Sequence, residues 1–450
     1  MNRYAEKNVV IVGAGLTGLA LANYFIGQGA TVTLSDRRER GEIQGIEKLN
    51  EHAVRYDLGG HDVDAFVGAD LVVISPGVPL HMPAVAAAVK ANVPVIGEVE
   101  VAARELEAPI IGITGTNGKS TVTSLLGEIY KAWGKKAFVG GNLGTPLISA
   151  VGEQWDVVIV ELSSFQLEAI ETFHTHVALL LNISEDHLDR YPEMASYCAA
   201  KAHLFDNQQS GDIAIVNADD KLAMQTVHGA ARRVAFHASR IPEEGIGYDG
   251  KFIVWNYLGD ELRFDAKELK LPGLHNIENV MAALVPALLD GCPADLAWRA
   301  VCGFTGLSHR MQLVRRIDGV NWYNDSKGTN VGSVVKSLAG LEAPVTLIAG
   351  GKDKGGDYAP LRDEVSDKVS HLLLIGEAAE RMEAALAGCC EIEKMGDLET
   401  AVKRAQQVTP AGGSVLLSPG CSSFDMFQSF EERGELFTAA VKALDSRSER

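Results

Sequence analysis

The stretch GITGTNGKST, residues 112–121, decides how the rest of the chain is read. It follows the apolar run Ala108-Pro-Ile-Ile and opens a segment of helical periodicity. Val122, Leu125, Leu126, Ile129 and Trp133 recur at i, i+3, i+4, i+7 and i+11, one face of a helix that should stop near Gly134. A strand, a glycine-rich turn and a helix start in that order make a cradle for polyphosphate, because backbone N–H groups of the turn and first helical turn point at anionic oxygens. Lys119 can reach the β- and γ-phosphates, and the Ser120 or Thr121 hydroxyl can take a place on Mg²⁺. The spacing departs from the standard phosphate loop, which wants glycine where Ile113 stands; here the glycines are Gly112, Gly115 and Gly118. The bland alternative is a glycine-rich turn with a solvated lysine. The order of the whole unit favours a mononucleotide site.

At 450 residues the chain exceeds one typical core, so two to four domains are expected. A hydrophobic share of 46%, a charged share of 22% and 46 glycines suit a compact α/β protein rather than a disordered one. The net charge of -18 argues against nucleic acid or an anionic membrane as partner. None of the 6 cysteines forms a Cys-x-x-Cys pair, and most sit among apolar neighbours, which reads as reduced core thiols of a cytoplasmic protein. The first apolar run, Val9–Val12, breaks at Gly13 and does not read as a signal peptide. No apolar stretch approaches the ~20 residues that span a bilayer.

Working outward, residues 8–36 read as strand, turn, helix and strand, with Gly13, Gly15 and Gly18 in the turn and Asp36 at the end of the second strand. That is a Rossmann-like fingerprint in its proper context, fit for a dinucleotide or another diphosphate, and the glycines do not decide between them. A second unit follows: strand Asp70–Val78, helix Met82–Ala91, strand Pro94–Ile96. A boundary near Gly97 leads through a helical stretch, Glu98–Glu105, to the phosphate-loop strand. The apolar runs Asp156–Glu161, Val177–Asn182 and Ile213–Asn217 lack alternation, as expected of a parallel sheet covered on both faces. Residues 251–265 read as a hairpin turning on Gly259-Asp260, and LPGLHNIENVMAALVPALL as a helix capped by Asn276. A second boundary near Gly303–Leu307 precedes a renewed α/β rhythm: strands Val320–Asn324, Val345–Ala349, Leu372–Ile375 and Val415–Leu417, helices Val331–Leu338 and Ala378–Ala387, and a terminal helix from Phe430. The expected architecture is α/β in three domains: a Rossmann-like domain at 1–97, a central mononucleotide-binding parallel sheet at 98–304, and a Rossmann-like C-terminal domain at 305–450.

Chemistry-bearing residues cluster at predicted strand ends, where open parallel sheets place their ligands. Glu161 ends one buried strand and His187 follows another. With Ser120 they make a set able to hold Mg²⁺, a hard cation that prefers oxygen and keeps waters. Lys201 reads, by spacing alone, as a solvated helix lysine. In the last domain NDSKGTN (Asn324–Asn330) places Asp325 and Lys327 for a ribose or phosphate, with Thr329 as a helix cap. GGKDKGGD (Gly350–Asp357) puts two lysines on what reads as a neighbouring strand end. SPGCSSFDMF (Ser418–Phe427) adds a third loop rich in donors.

These blocks together resemble the Mur ligase family of peptidoglycan precursor synthesis. GITGTNGKST has that family's own loop spacing, and GGNLGTPL, VELSSFQL, NISEDHLDRY, LPGLHNIENVMAAL, GLSHRMQ and NDSKGTN resemble its blocks in order over nearly the whole chain. The ends, GAGLTGLALA with LSDRR and SPGV, and LLSPGCSSFDMFQSFEERG, resemble the branch that adds D-glutamate; the Asp-Asn-Pro-Arg motif of the diaminopimelate- or lysine-adding branch is absent.

The resemblance implies an ATP-dependent amide ligase that joins D-glutamate to UDP-N-acetylmuramoyl-L-alanine through an acyl phosphate, releasing ADP and phosphate. Gly115, Thr116, Asn117, Gly118, Lys119, Ser120, Thr121, Asn279, Arg310 and Asp325 would contact ATP. Leu16, Thr17, Asp36, Arg37, Gly77 and Asn142 would hold the UDP-linked substrate, so that the first turn binds uridine diphosphate rather than NAD. Lys327, Thr329, Lys354, Ser423 and Phe430 would surround D-glutamate, with Phe424 standing where a leucine is expected. Two Mg²⁺ ions are implied, held by Ser120, Glu161, His187 and a carbamate formed from CO₂ on Lys201; Lys119, His187 and Lys201 would be catalytic. A monomer acting on small molecules is expected. The rivals are another ligase of the superfamily such as folylpolyglutamate synthase, which would not need the N-terminal unit, and a nicotinamide-dependent dehydrogenase or a non-enzymatic nucleotide sensor. A dehydrogenase would leave residues 112–121 without a role.

Overall fold

The computed structural model describes residues 3–49, 53–187, 190–271 and 273–446. Leu188 and Asp189 of the NISEDHLDRY block and Pro272 of LPGLHNIENVMAAL lie outside the described residues. The chain packs as two compact units. One comprises Met1–Asn182, Tyr197–Phe264 and Asn279–Val301; the other comprises Ile183–Ser196, Asp265–Glu278 and Cys302–Arg450.

The first unit holds two sheets. In the N-terminal one, β1 (Asn8–Val12), β2 (Thr31–Asp36), β3 (Val54–Leu58), β4 (Leu71–Ile74) and β5 (Val95–Gly97) run parallel in the order β3-β2-β1-β4-β5. The four residues Val9 to Val12 are buried, which is why this strand reads as an unbroken apolar run. The order reverses at β1, so the turn after Val12 opens into the crevice where such sheets bind ligands.

The larger sheet contains β6 (Ile110–Thr114), β7 (Ala137–Gly141), β8 (Val157–Glu161), β9 (Val177–Leu180), β10 (Ile213–Asn217), β11 (Arg232–His237), β12 (Gly245–Tyr248), β13 (Phe252–Tyr257) and β14 (Asp260–Asp265). Its order is β14-β13-β12-β11-β10-β9-β6-β8-β7, parallel from β7 through β12 and antiparallel where β13 joins. Strand β6 lies between β8 and β9, again at a reversal of strand order. All five of its residues are buried, and the helix that follows, Lys119–Ala132, buries Val122, Leu125, Leu126 and Ile129, the face its periodicity predicts.

The second unit is built on β15 (Gln312–Ile317), β16 (Val320–Asn324), β17 (Val345–Gly350), β18 (Val369–Ile375), β19 (Glu391–Lys394) and β20 (Ser414–Leu417). Their order is β15-β16-β20-β17-β18-β19, parallel except for β15 against β16. Two apolar layers cover it, one around Val334, Leu347, Leu372 and Met382, the other around Trp322, Leu373, Val402 and Phe437. The loops after β16 and β17 do not sit on neighbouring strand ends as expected, because β20 pairs between them and carries residues 418–427 into the middle.

Three local expectations are corrected. The cap of helix Val331–Ala339 is Asn330, whose side chain accepts from the Ser333 N–H at 2.8 Å, not Thr329. Asn276 lies inside helix Leu274–Leu289 rather than capping it. The hairpin turns on Leu258-Gly259, both at positive φ, one residue earlier than expected. Of the cysteines only Cys292 and Cys421 are buried; the other four are half-buried, and all are free thiols. No helix among the described residues is long and apolar enough to cross a membrane.

Candidate active site

The phosphate loop sits at the carboxyl end of β6, the reversal point of the large sheet. Gly118, at φ +87°, is the N-cap of helix Lys119–Ala132, a left-handed conformation that glycine adopts without cost. A Cβ at Gly118 would collide with the Oδ1 of Asn279, which places that expected ATP contact directly against the loop. Ser120 and Thr121 are buried in the first helical turn. The Lys119 Nζ folds back to donate to the carbonyls of Gly115 (2.9 Å) and Thr116 (2.8 Å). Lys201, 1% exposed, donates to the same Gly115 carbonyl at 2.9 Å. It is therefore no solvated helix lysine but part of the loop's floor, its ammonium 4.5 Å from the centre of the Tyr197 ring.

Glu161 pairs in register with Ile113, so its carboxylate emerges beside the loop. Its Oε1 accepts from the Asn142 side chain at 2.7 Å, and its carbonyl accepts from the Asn142 N–H at 2.8 Å. Ser120 and Glu161 offer the hard oxygens that suit Mg²⁺. His187, at φ +55° in the second unit, receives the N–H groups of Arg190 and Tyr191 on its carbonyl. Among the described residues no three His, Cys, Asp or Glu side chains group as a metal centre. The expected set draws only Glu161 and His187 from those types.

In the N-terminal sheet the Ala14 N–H donates to Asp36 Oδ2 at 2.7 Å, closing the turn onto the end of β2. Gly18 packs so tightly on the Gly13 carbonyl that no side chain fits there. Burial would raise the Asp36 pKa, but the Arg38 guanidinium and the Ala14 and Arg38 N–H groups outweigh it and hold the carboxyl well below its ordinary value. Leu16, Arg37 and Gly77 are exposed around this turn and Thr17 is half-buried, so all can meet a ligand.

In the second unit Asp325 is buried at the end of β16. Its Oδ2 accepts from Ser337 (2.8 Å) and Ser418 (2.7 Å), and burial pushes its pKa up to about 6 against the pull of those hydroxyls and the Arg310 charge. The Lys327 Nζ lies 3.7 Å from the centre of the Phe430 ring, which joins two expected amino-acid contacts. Ser423 is buried, Phe424 is 70% exposed, and Thr329 is half-buried on the same loop as Lys327. Arg433, fully buried, donates to the carbonyls of Ser326, Cys421 and Ser422 and so ties the loop after β16 to the loop after β20.

Some shaping residues escaped the sequence reading. Asn182 accepts from the Thr116 and Asn117 N–H groups through its carbonyl and Oδ1 and returns a bond to the Asn117 carbonyl, holding the phosphate loop on three sides. Its one signal is its place just beyond a buried strand.

Three family profiles match in order: Mur ligase MurD-like N-terminal domain over residues 7–97, Mur ligase middle domain over 113–287, and Mur ligase glutamate ligase domain over 309–421. The chain belongs to the Mur ligase family. It is 61% identical to the UDP-N-acetylmuramoylalanine--D-glutamate ligase of Syntrophotalea carbinolica over 99% of each chain. It is 49% identical to the protein of that name from Geotalea uraniireducens over 98% of each. Among solved structures it resembles UDP-N-acetylmuramate-alanine ligase from Thermotoga maritima, with a TM-score of 0.61, 18% identity and coverage of 97% and 100%. It also resembles MurF from Acinetobacter baumannii, with a TM-score of 0.63, 15% identity and coverage of 98% and 92%. These structures share the fold, and the three sheets are the three-domain Mur ligase architecture.

Proposed function

We propose that this Mur ligase adds D-glutamate to UDP-N-acetylmuramoyl-L-alanine at the expense of ATP, in peptidoglycan precursor synthesis. The observation that carries the reading is the phosphate loop at the reversal point of the large sheet, with Lys119 and the buried Lys201 meeting at one carbonyl beside Glu161. The naming of relatives that match the chain end to end supports the choice of amino acid.

In the reaction the L-alanine carboxylate of the acceptor attacks the γ-phosphate, giving an acyl phosphate and ADP. The D-glutamate amine then attacks the acyl carbon and phosphate leaves. Both steps gather negative charge, which Lys119 and the N–H groups of residues 115–121 would stabilise. Ser120, Glu161 and His187, with a carbamate on Lys201, would hold Mg²⁺, which when bound supplies charge neutralisation on the phosphates. Asn279, Arg310 and Asp325 would contact ATP, and Leu16, Thr17, Asp36, Arg37, Gly77 and Asn142 the UDP-linked acceptor. Lys327, Thr329, Lys354, Ser423 and Phe430 would receive D-glutamate. The same reading takes residues 1–97, 98–304 and 305–450 as the working domains of a cytoplasmic monomer. A dehydrogenase reading suffers because it leaves the phosphate loop of residues 112–121, at the carboxyl end of β6, without a role.

The test is product formation. Mass spectrometry after incubation with ATP, Mg²⁺, the acceptor and D-glutamate should show the acceptor extended by one glutamyl residue. Absence of that product from folded protein contradicts the reading.

A further inference from the structure

Glu98, 2% exposed, opens helix Glu98–Ala103 directly after β5, where the chain passes from the N-terminal sheet toward the large one. Its Oε1 accepts from the Ile148 N–H at 2.6 Å, 50 residues further along the chain. Ile148 lies in the short 3₁₀ turn Leu147–Ala150, whose N-cap, Pro146, supplies no side-chain bond. The first N–H groups of such a turn find no partner within it, so a buried carboxylate from a distant helix serves as their cap.

The turn touches both halves of the site expected to hold the UDP-linked acceptor. It packs against helix Leu16–Gly27, which begins with Leu16 and Thr17, and against β7, whose following loop carries Asn142. That loop is closed on itself: the Gly141 N–H donates to the Thr145 carbonyl at 2.8 Å, and a Cβ at Gly140 would strike the same oxygen. It is pinned at one end by Asn142 on Glu161 and at the other by Ile148 on Glu98, so loosening either hold shifts Asn142.

The carboxyl can change state. Burial pushes its pKa up to about 7, against the pull of the Ile148 and Leu147 N–H groups, and among the described residues no charged group enters that balance. On its own helix Glu100 pairs with Arg104, and on helix Leu16–Gly27 Tyr24 packs on Tyr4 and Phe25; β5, β7 and the turn itself carry no titratable side chain. A carboxylate grips N–H groups about twice as strongly as a neutral acceptor does, so the ionised form is the one that fixes the loop.

We propose that Glu98 is a positioning residue for the acceptor: by holding Ile148 it sets Asn142 against Leu16 and Thr17, most firmly as the carboxylate. This rests on the reading that Leu16, Thr17 and Asn142 hold the UDP-linked acceptor. A ligand that needs the fixed loop draws Glu98 toward its ionised form. Binding therefore releases protons near pH 7, and affinity rises as pH rises through that value.

The experiment is calorimetric binding of UDP-N-acetylmuramoyl-L-alanine, without ATP, to wild type, Glu98→Gln and Glu98→Ala at pH 6 and pH 8. Glutamine keeps an oxygen for the N–H groups and cannot ionise. From pH 6 to pH 8 the wild-type Kd should fall by roughly 3- to 10-fold relative to that of Glu98→Gln. Glu98→Ala should bind more weakly than Glu98→Gln at both pH values. At pH 7 wild type should release protons on binding, read from heats in buffers of different ionisation enthalpy, and Glu98→Gln should release fewer. A Kd ratio that stays level with pH, or equal proton release by the two proteins, overturns the proposal. Absence of proton release by wild type overturns it without any variant. Folded wild type that binds no acceptor at either pH contradicts the acceptor-site reading itself, and the proposal falls with it.

Discussion

Lys119 and Lys201, far apart in sequence, each donate to the Gly115 carbonyl oxygen at 2.9 Å. Two ammonium groups on one carbonyl in a water-poor site repel each other. Converting the Lys201 amine to a carbamate would turn that repulsion into attraction and create an oxygen ligand. Lys201→Ala is therefore expected to lower turnover by roughly 100-fold or more, with partial recovery on adding a short carboxylate such as acetate. Full activity of the variant in a phosphate-release assay would remove the carbamate from the mechanism.

Lys119→Ala should cost more, because its charge is needed where the γ-phosphoryl group moves. A loss on the order of 1000-fold in kcat is expected, with the fold retained by circular dichroism. Retained turnover would mean that residues 112–121 do not handle the transferred phosphate.

Gly118→Ala probes the loop by shape. The residue is held at φ +87° with Asn279 against it, so a methyl group is strained and displaces the asparagine. The strain is expected to cost about 1–2 kcal/mol of stability, and the KM for ATP should rise about tenfold or more. Titrating ATP and following the melting transition would check both; normal values for the two would contradict the placement of Asn279.

Glu98 gives a pH signature. It is 2% exposed and accepts from the Ile148 N–H at 2.6 Å, and burial pushes its pKa from 4.5 up to about 7. The folded state thus binds this proton more tightly than the unfolded chain does. The favourable contribution is present below about pH 4.5 and is lost as pH rises through 7, an effect on the order of 3 kcal/mol. Wild-type stability relative to Glu98→Gln should fall between pH 5 and pH 8. Parallel curves for the two proteins in denaturant titrations would show that Glu98 does not titrate in that range.

What could be read in the amino acids follows physical lines. Buried parallel strands such as β6, β8 and β10 announce themselves because both faces demand apolar residues. Strands β3, β7 and β19 went unread because VRYDL and EIEK are half exposed and AFVGG is glycine-rich, so none has a clean pattern. The cap shifted from Thr329 to Asn330 because either side chain can cap and only the backbone path selects one. Candidate residues on β6, β8 and the loop after β16 were legible as strand-end polar groups. Glu98, Asn182 and Arg433 were not, since their importance lies in partners far along the chain.

The central claim is tested most directly by phosphate release from ATP in the presence of UDP-N-acetylmuramoyl-L-alanine and one amino acid at a time. The account predicts release with D-glutamate, far less with L-glutamate or L-lysine, and no consumption of NAD(H). Release that follows L-lysine, or none with D-glutamate from a folded protein, would contradict it.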